Sequence, residues 1–186
     1  MKNKDYRPVD SYCNIYDLRF NREQEIMKDA ILNPKKLIIF CDAPSGTGKT
    51  FVATAAAAHL VKTGKYQGIV YCVANYGETK QGFLPGNIDM KSEVYFTPFH
   101  QALMEIDINP TQAITKSSNQ KNGAGFIECV THTFLRGVNF KEKVIILDEA
   151  QNFTKEALKK TLTRCHDDCK VIVIGHHGQI DIDRIS

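Results

Sequence analysis

The sequence predicts an α/β fold with a mostly parallel sheet and helices on both faces. Two observations lead there: short continuous apolar runs alternate with helical patterns, and a glycine-rich turn joins the first run to the first strong helix. Runs that are apolar throughout, rather than at every second residue, mean strands buried on both faces, which is the habit of parallel sheets. Leu37–Cys41 is the first such run, too short for a helix and closed by turn residues. Phe51–Thr63 is alanine-rich and stops at Gly64, which suits a helix with a glycine end. Gly68–Ala74 reads as a second strand and Phe96–Asp107 as a helix. Phe126–Val130, Lys143–Leu147 and Lys170–Ile174 are three further strands, with a helical period over Phe153–Arg164 between the last two. Ile108–Gly125 is polar and of low complexity, and is expected to form a mobile loop.

The chain has 186 residues, which accommodates one domain spanning residues 1–186, and 42% hydrophobic content suffices for a sizeable core. Lys plus Arg exceed Asp plus Glu by 24 − 21 = 3. That excess is too mild to indicate nucleic acid, and no basic patch interleaved with aromatics is visible. No run approaches ~18 apolar residues and the N-terminus is polar, so a cytoplasmic chain without a membrane helix is expected. Six cysteines lie largely in strand-like runs, which favours reduced, buried thiols over a disulfide framework.

Between the first strand and the alanine-rich helix stand Ala43, Pro44, Ser45, Gly46, Thr47, Gly48, Lys49 and Thr50. This is a phosphate-loop pattern in its strand–loop–helix setting, with alanine at its first position. Gly46 and Gly48 let successive N–H groups curl toward one anion, and the helix N-terminus adds positive charge. Lys49 is expected to reach the β- and γ-phosphates, and Thr50 to ligate Mg²⁺. A dinucleotide fingerprint is excluded because Phe51 stands where it needs a small residue.

Val144–Leu147 followed by Asp148 and Glu149 supplies the second half of a nucleotide site. A strand ending in a carboxylate sets Asp148 at the sheet edge where ligands bind in open α/β folds, positioned to hold Mg²⁺ through water. Glu149 would activate water for attack on the γ-phosphate. Together the two motifs point to hydrolysis of a nucleoside triphosphate.

Asp148-Glu149-Ala150-Gln151 is also similar to a segment of thymidine kinases. That family's phosphate loop and its Cys-x-x-Cys zinc ribbon differ from Pro44–Lys49 and from Cys165 and Cys169, which have three residues between them. The broader resemblance rests on Gly77-Glu78, Gly82-Phe83-Leu84-Pro85-Gly86, Pro98–Leu103, Leu135-Arg136-Gly137, Ile146–Asn152 and Leu162-Thr163-Arg164. In that order, with the phosphate loop, they resemble PhoH-family ATPases over about Phe20 to Asp181. The resemblance implies a RecA-like P-loop NTPase core like the first lobe of superfamily 1 helicases, ATP hydrolysis and, in some members, RNA unwinding. RNA or single-stranded nucleic acid as a partner rests on this resemblance alone. By position Gln24 resembles an adenine-reading glutamine, although an exposed glutamine on an N-terminal helix fits equally. Arg136 and Arg164 match family positions, and either could stabilise the transferred phosphoryl group, in cis or from a neighbouring subunit. Gln179 would sense the γ-phosphate.

The chain departs from the family in two places. His176 stands where the family has Asp, and Val70–Ala74 lacks an Arg-Pro pair often found there. The first departure leaves a nucleotide-gated binding module with little turnover as the alternative to an ATPase, and a nucleoside kinase as a third reading. Cys165, His166, Cys169, His176 and His177 cluster in sequence, but the intervening strand holds the cysteines and the histidine pair apart, so this set is not expected to bind zinc. Helicase-like ATPases close the nucleotide between two lobes and this chain accommodates one. A homo-oligomer, with a ring as its simplest form, is therefore expected to complete the site.

Overall fold

The computed structural model describes residues 14–74, 88–115, 125–131 and 139–178. Helix α1 (Arg22–Leu32) leads into β1 (Ile38–Asp42), α2 (Lys49–Lys62) and β2 (Gly68–Val73). Then follow α3 (Ile88–Met104), the single turn α4 (Pro110–Ala113), β3 (Ile127–Thr131) and β4 (Lys143–Asp148). A short 3₁₀ turn (Ala150–Asn152), α5 (Lys155–Leu162) and β5 (Lys170–Gly175) complete the order.

The five strands form one sheet in the order β1-β5-β4-β2-β3, and every pairing is parallel. Because all strands run the same way, Asp42, Gly175, Asp148, Val73 and Thr131 end along one edge. The chain visits the edge strand β1 first and crosses to β2, then returns through β4 and β5 to fill the gap. Side chains alternate between two apolar layers. Ile39, Ile69, Tyr71, Val144, Ile146, Ile172 and Ile174 face α1, α2 and α3, whereas Val70, Cys72, Ile145, Leu147, Val171 and Val173 face α5 and its flanking loops.

Local chemistry accounts for the helices. Asn21 and Gln24 form a reciprocal capping box at the start of α1: Asn21 Oδ1 accepts from the Gln24 N–H and Gln24 Oε1 from the Asn21 N–H. Helix α2 buries Ala53 and Ala55 to Ala58 almost completely, and small side chains let it lie close to both the sheet and the helices beside it. Thr154 caps α5 by accepting from the Ala157 N–H.

Two expectations need correction. The helix expected over Phe96–Asp107 starts at Ile88, with Pro98 inside it. Proline suggests a helix start, but Phe96, Phe99 and Leu103 are buried against α2 and β2 and hold the helix together through it. The loop expected over Ile108–Gly125 is partly built: Asn109 caps α4 with Pro110 in its first turn, and Ile114 bridges to Ile127. Residues 116–124 lie outside the described residues.

Candidate nucleotide site

The loop between β1 and α2 begins by extending the sheet, since the Ala43 N–H donates to the Gly175 carbonyl. Gly46 and Gly48 then take φ values of 76° and 82°, in the left-handed region that glycine enters without strain. A Cβ on Gly48 would lie 2.8 Å from Gln24 Nε2, so any side chain there would displace the Gln24 amide. Gly48 precedes α2 as its N-cap and offers no side-chain cap. The first-turn N–H groups of α2 are thus left for an anion, and the helix dipole favours one.

Lys49 Nζ donates to the carbonyls of Ala43 (2.6 Å) and Pro44 (2.9 Å), lying across its own loop. Thr47 Oγ1 donates to the Pro44 carbonyl and tightens the turn. Gln24 sits against the loop and donates from Nε2 to the Thr47 carbonyl at 3.0 Å. Its amide oxygen is occupied by the capping box, yet oxygen and nitrogen each retain capacity for one more hydrogen bond.

At the end of β4, Thr50 Oγ1 donates to Asp148 Oδ2 at 2.8 Å, and Tyr71 OH donates to the same oxygen at 2.7 Å. The Glu149 N–H donates to Asp148 Oδ1 at 2.8 Å. Burial pushes the Asp148 carboxyl above its ordinary range, and these three donors partly offset the push. Tyr71 is raised well above the usual phenol value by burial first and then by the Asp148 charge. Its ring stacks on Phe99 with centroids 4.2 Å apart and meets Phe96 edge-on. The aromatic packing fixes the phenol and the phenol fixes the carboxylate. Tyr71 is one site residue the sequence does not announce, because a tyrosine in a fully buried strand looks like core.

Glu149 has φ 51°, a left-handed conformation uncommon outside glycine, and it caps the 3₁₀ turn. That conformation turns the chain away from β4 at the sheet edge. Glu149 Oε2 accepts from Gln151 Nε2 at 2.5 Å, while Gln151 Oε1 accepts from the His176 N–H at 3.0 Å. Gln151 therefore ties the end of β4 to the end of β5. The Thr50 hydroxyl and Asp148 carboxylate are hard oxygen donors side by side under an anion-ready helix end. That donor set fits Mg²⁺ held together with a nucleoside triphosphate.

Lys49, Thr50, Asp148, Glu149 and the loop residues Ala43 to Gly48 thus meet at one edge, with Gln24 beside them. Arg164 does not join them. It follows α5, where its carbonyl accepts from the Phe140 N–H and the next residue, Cys165, bridges to Phe140 ahead of β4. This is the amino edge of the sheet, one strand length from the loop: β5 alone spans about 16 Å at ~3.3 Å per residue. Arg136 and Gln179 lie outside the described residues, as do Gly77-Glu78 and Gly82–Gly86. Cys165 and Cys169 precede β5 whereas His176 and His177 follow it, so the strand separates them as expected.

A family model described as PhoH-like protein matches residues 19–186. The chain belongs to the PhoH-like family. The PhoH-like protein of Mycobacterium tuberculosis (strain ATCC 25618 / H37Rv) is 34% identical over 172 residues, covering 87% of this chain and 47% of the relative. The PhoH-like protein of Bacillus subtilis (strain 168) is 33% identical over 150 residues, covering 79% and 44% respectively. The chain spans about half the length of these curated relatives. Among solved structures, the SWI2/SNF2 ATPase core of Sulfolobus solfataricus in complex with dsDNA aligns with a TM-score of 0.58 at 16% identity, covering 91% of this chain and 34% of that one. The large terminase from a thermophilic bacteriophage, in complex with ADP, aligns at 0.51 and 16% identity, covering 84% and 39%. At such identities the likeness is one of fold: this PhoH-like chain has the RecA-like architecture of P-loop ATPase cores. Among the described residues no helix is long and apolar enough to cross a membrane.

Proposed function

We propose that the chain binds ATP with Mg²⁺ and hydrolyses it. The observation that supports this reading is the 2.8 Å hydrogen bond from Thr50 to Asp148 beside the uncapped N-terminus of α2. In use, Lys49 leaves the Ala43 and Pro44 carbonyls for the β- and γ-phosphates, and the loop N–H groups hold the remaining phosphate oxygens. Bound Mg²⁺ neutralises phosphate charge. Thr50 and Asp148 would hold it, with Tyr71 keeping the carboxylate in place. Glu149 takes the proton of the attacking water, and Gln151 holds it by the amide until then. Gln24 reads the adenine edge through the hydrogen-bonding capacity its amide retains. Gln179 is the proposed γ-phosphate sensor.

Arg164 sits at the far edge from the loop, which supports a transition-state arginine donated by another copy rather than from within the chain; Arg136 is the other candidate. An oligomer, with a ring as its simplest form, follows from that reading, and 1–186 is read as one domain within it. The SWI2/SNF2 core was solved with dsDNA and the terminase with ADP, which supports nucleotide and nucleic-acid ligands here as well. RNA is the nucleic acid proposed, and the cytoplasm the compartment.

Steady-state phosphate release from ATP, with and without RNA, tests the assignment. Lys49→Ala and Glu149→Gln should each abolish it, and activity surviving both substitutions contradicts it. One observation favours a second reading, a nucleotide-gated module with little turnover: His176 replaces an acidic residue at the end of β5, next to the Gln151–Glu149 pair. That reading predicts tight ATP binding without phosphate release. The third reading, a nucleoside kinase, predicts phosphate transfer to thymidine.

A further inference from the structure

Outside the nucleotide site, the ends of β1 and β5 bring Asp42, His176 and His177 together, with their ligand-type atoms all within 4.8 Å of one another. We propose that these three residues form a binding site for a divalent transition-metal ion of the zinc class, distinct from the Mg²⁺–nucleotide site.

The donor arrangement supports it. Asp42 Oδ2 is 2.5 Å from His177 Nδ1, and Asp42 Oδ1 is 3.5 Å from His176 Nδ1. His176 Nδ1 is shielded from solvent and has no hydrogen-bond partner, an unsatisfied nitrogen facing a carboxylate. A cation between the three groups would satisfy it. The two imidazoles pack edge to face with centroids 5.3 Å apart. The His177 N–H donates to Asp42 Oδ1 at 3.1 Å and orients the carboxylate.

Ligand chemistry selects the metal. Two imidazoles and one carboxylate suit zinc, iron, cobalt or nickel, whereas Mg²⁺ prefers an all-oxygen octahedron. Three protein ligands leave a position open for water or a substrate oxygen. With metal–ligand bonds of ~2.0–2.2 Å, small side-chain rotations are enough to enclose an ion. Asp42 and His177 are exposed and free to make them, at 55% and 80%.

Its position gives the site consequences. Asp42 ends β1 and directly precedes Ala43, whose carbonyl holds Lys49. His176 reaches Glu149 through Gln151. Asp148 ends β4, two strands from Asp42, about 10 Å away at ~4.8 Å per strand spacing. An ion here would clamp the β1 and β5 ends together underneath the phosphate loop without sharing a ligand with the nucleotide site. Asp42 lies over 130 residues from the histidine pair in sequence, and the parallel β1–β5 pairing brings it near.

Metal-free protein without nucleotide is titrated with Zn²⁺ by calorimetry, and with Co²⁺ by absorption. The wild type should bind one equivalent, and Co²⁺ should show ligand-field bands without the near-ultraviolet thiolate charge-transfer band. His177→Ala and Asp42→Asn, both at exposed positions that leave the core intact, should each weaken Zn²⁺ binding at least ~10-fold. His176→Ala should do the same. The proposal is overturned if the wild type binds no more Zn²⁺ than the Asp42→Asn/His177→Ala double variant, or if Co²⁺ shows thiolate ligation.

Discussion

Tyr71 shows how one residue can set the behaviour of a site without touching its ligand. Its hydroxyl and that of Thr50 both donate to Asp148 Oδ2, and hydrogen bonds to a charged acceptor are worth about 1.5–3 kcal/mol. Tyr71→Phe keeps the stack on Phe99 and removes only the donor. It should cost about 2 kcal/mol of folding stability, and should weaken ATP binding in Mg²⁺ more than in EDTA. Urea unfolding and nucleotide titration in the two buffers measure those effects, and equal loss in both buffers would reduce Tyr71 to a core residue. At this scale the sequence was legible where chemistry and spacing coincide. Ala43–Thr50 and Asp148–Glu149 stand in runs whose glycines and carboxylates have few other uses. Tyr71, Gln151 and Asp42 were not legible as site residues, because each acts through a partner between 25 and more than 100 residues distant in sequence or through another side chain.

Elements show the same division. The five strands lie within one residue of the boundaries the apolar runs imply. Strands β2, β4 and β5 are buried on both faces and leave a continuous signature, whereas edge strand β1 is as apolar yet exposes Ile38 and Phe40 on one face. Helix α3 begins eight residues earlier than expected because tertiary packing overrides the proline, and α4 emerges from a stretch that reads as loop. Lys170, at the start of β5, illustrates a burial that no pattern announces. It is 1% exposed, donates to the carbonyls of Asn33 and Lys36, and so pins the α1–β1 connection to β5. Burial pushes its ammonium down to about 8 from 10.5. The unfolded chain therefore binds the extra proton between those values, so the Lys170 contribution destabilises fully below pH 8 and is relieved as pH rises toward 10.5. The buried Cys72 thiol and the partly buried Cys129 thiol, both raised by burial, act in the opposite sense. The informative quantity is thus the difference in urea stability between wild type and Lys170→Met. That difference should move in favour of the wild type across this range, and a flat difference would mean that Lys170 does not titrate there.

The whole molecule adds what no local segment contains. Strand order decides that β1 and β4, separated in sequence by about 100 residues, deliver Thr50 and Asp148 to one point, and nothing in either motif specifies that β5 lies between them. The same topology places Arg164 across the sheet from the loop. If that arginine serves catalysis, it serves a neighbour's site. The mass of the particle in solution should therefore rise above that of one chain when a non-hydrolysable ATP analogue binds. A particle that stays monomeric with the analogue bound removes the oligomer and its donated arginine from the proposed function and leaves slow hydrolysis or nucleotide binding.

In the proposed function Thr50 and Asp148 jointly hold a metal that in turn holds the nucleotide. Equilibrium binding of ATP to wild type and Asp148→Asn, with Mg²⁺ and with EDTA, tests this most directly. Mg²⁺ should tighten binding to the wild type at least ~10-fold, a coupling of about 1.4 kcal/mol, and Asp148→Asn should lose that gain while keeping its metal-free affinity. Wild-type binding indifferent to Mg²⁺, or an Asp148→Asn variant that responds to it as fully as the wild type, would contradict the account.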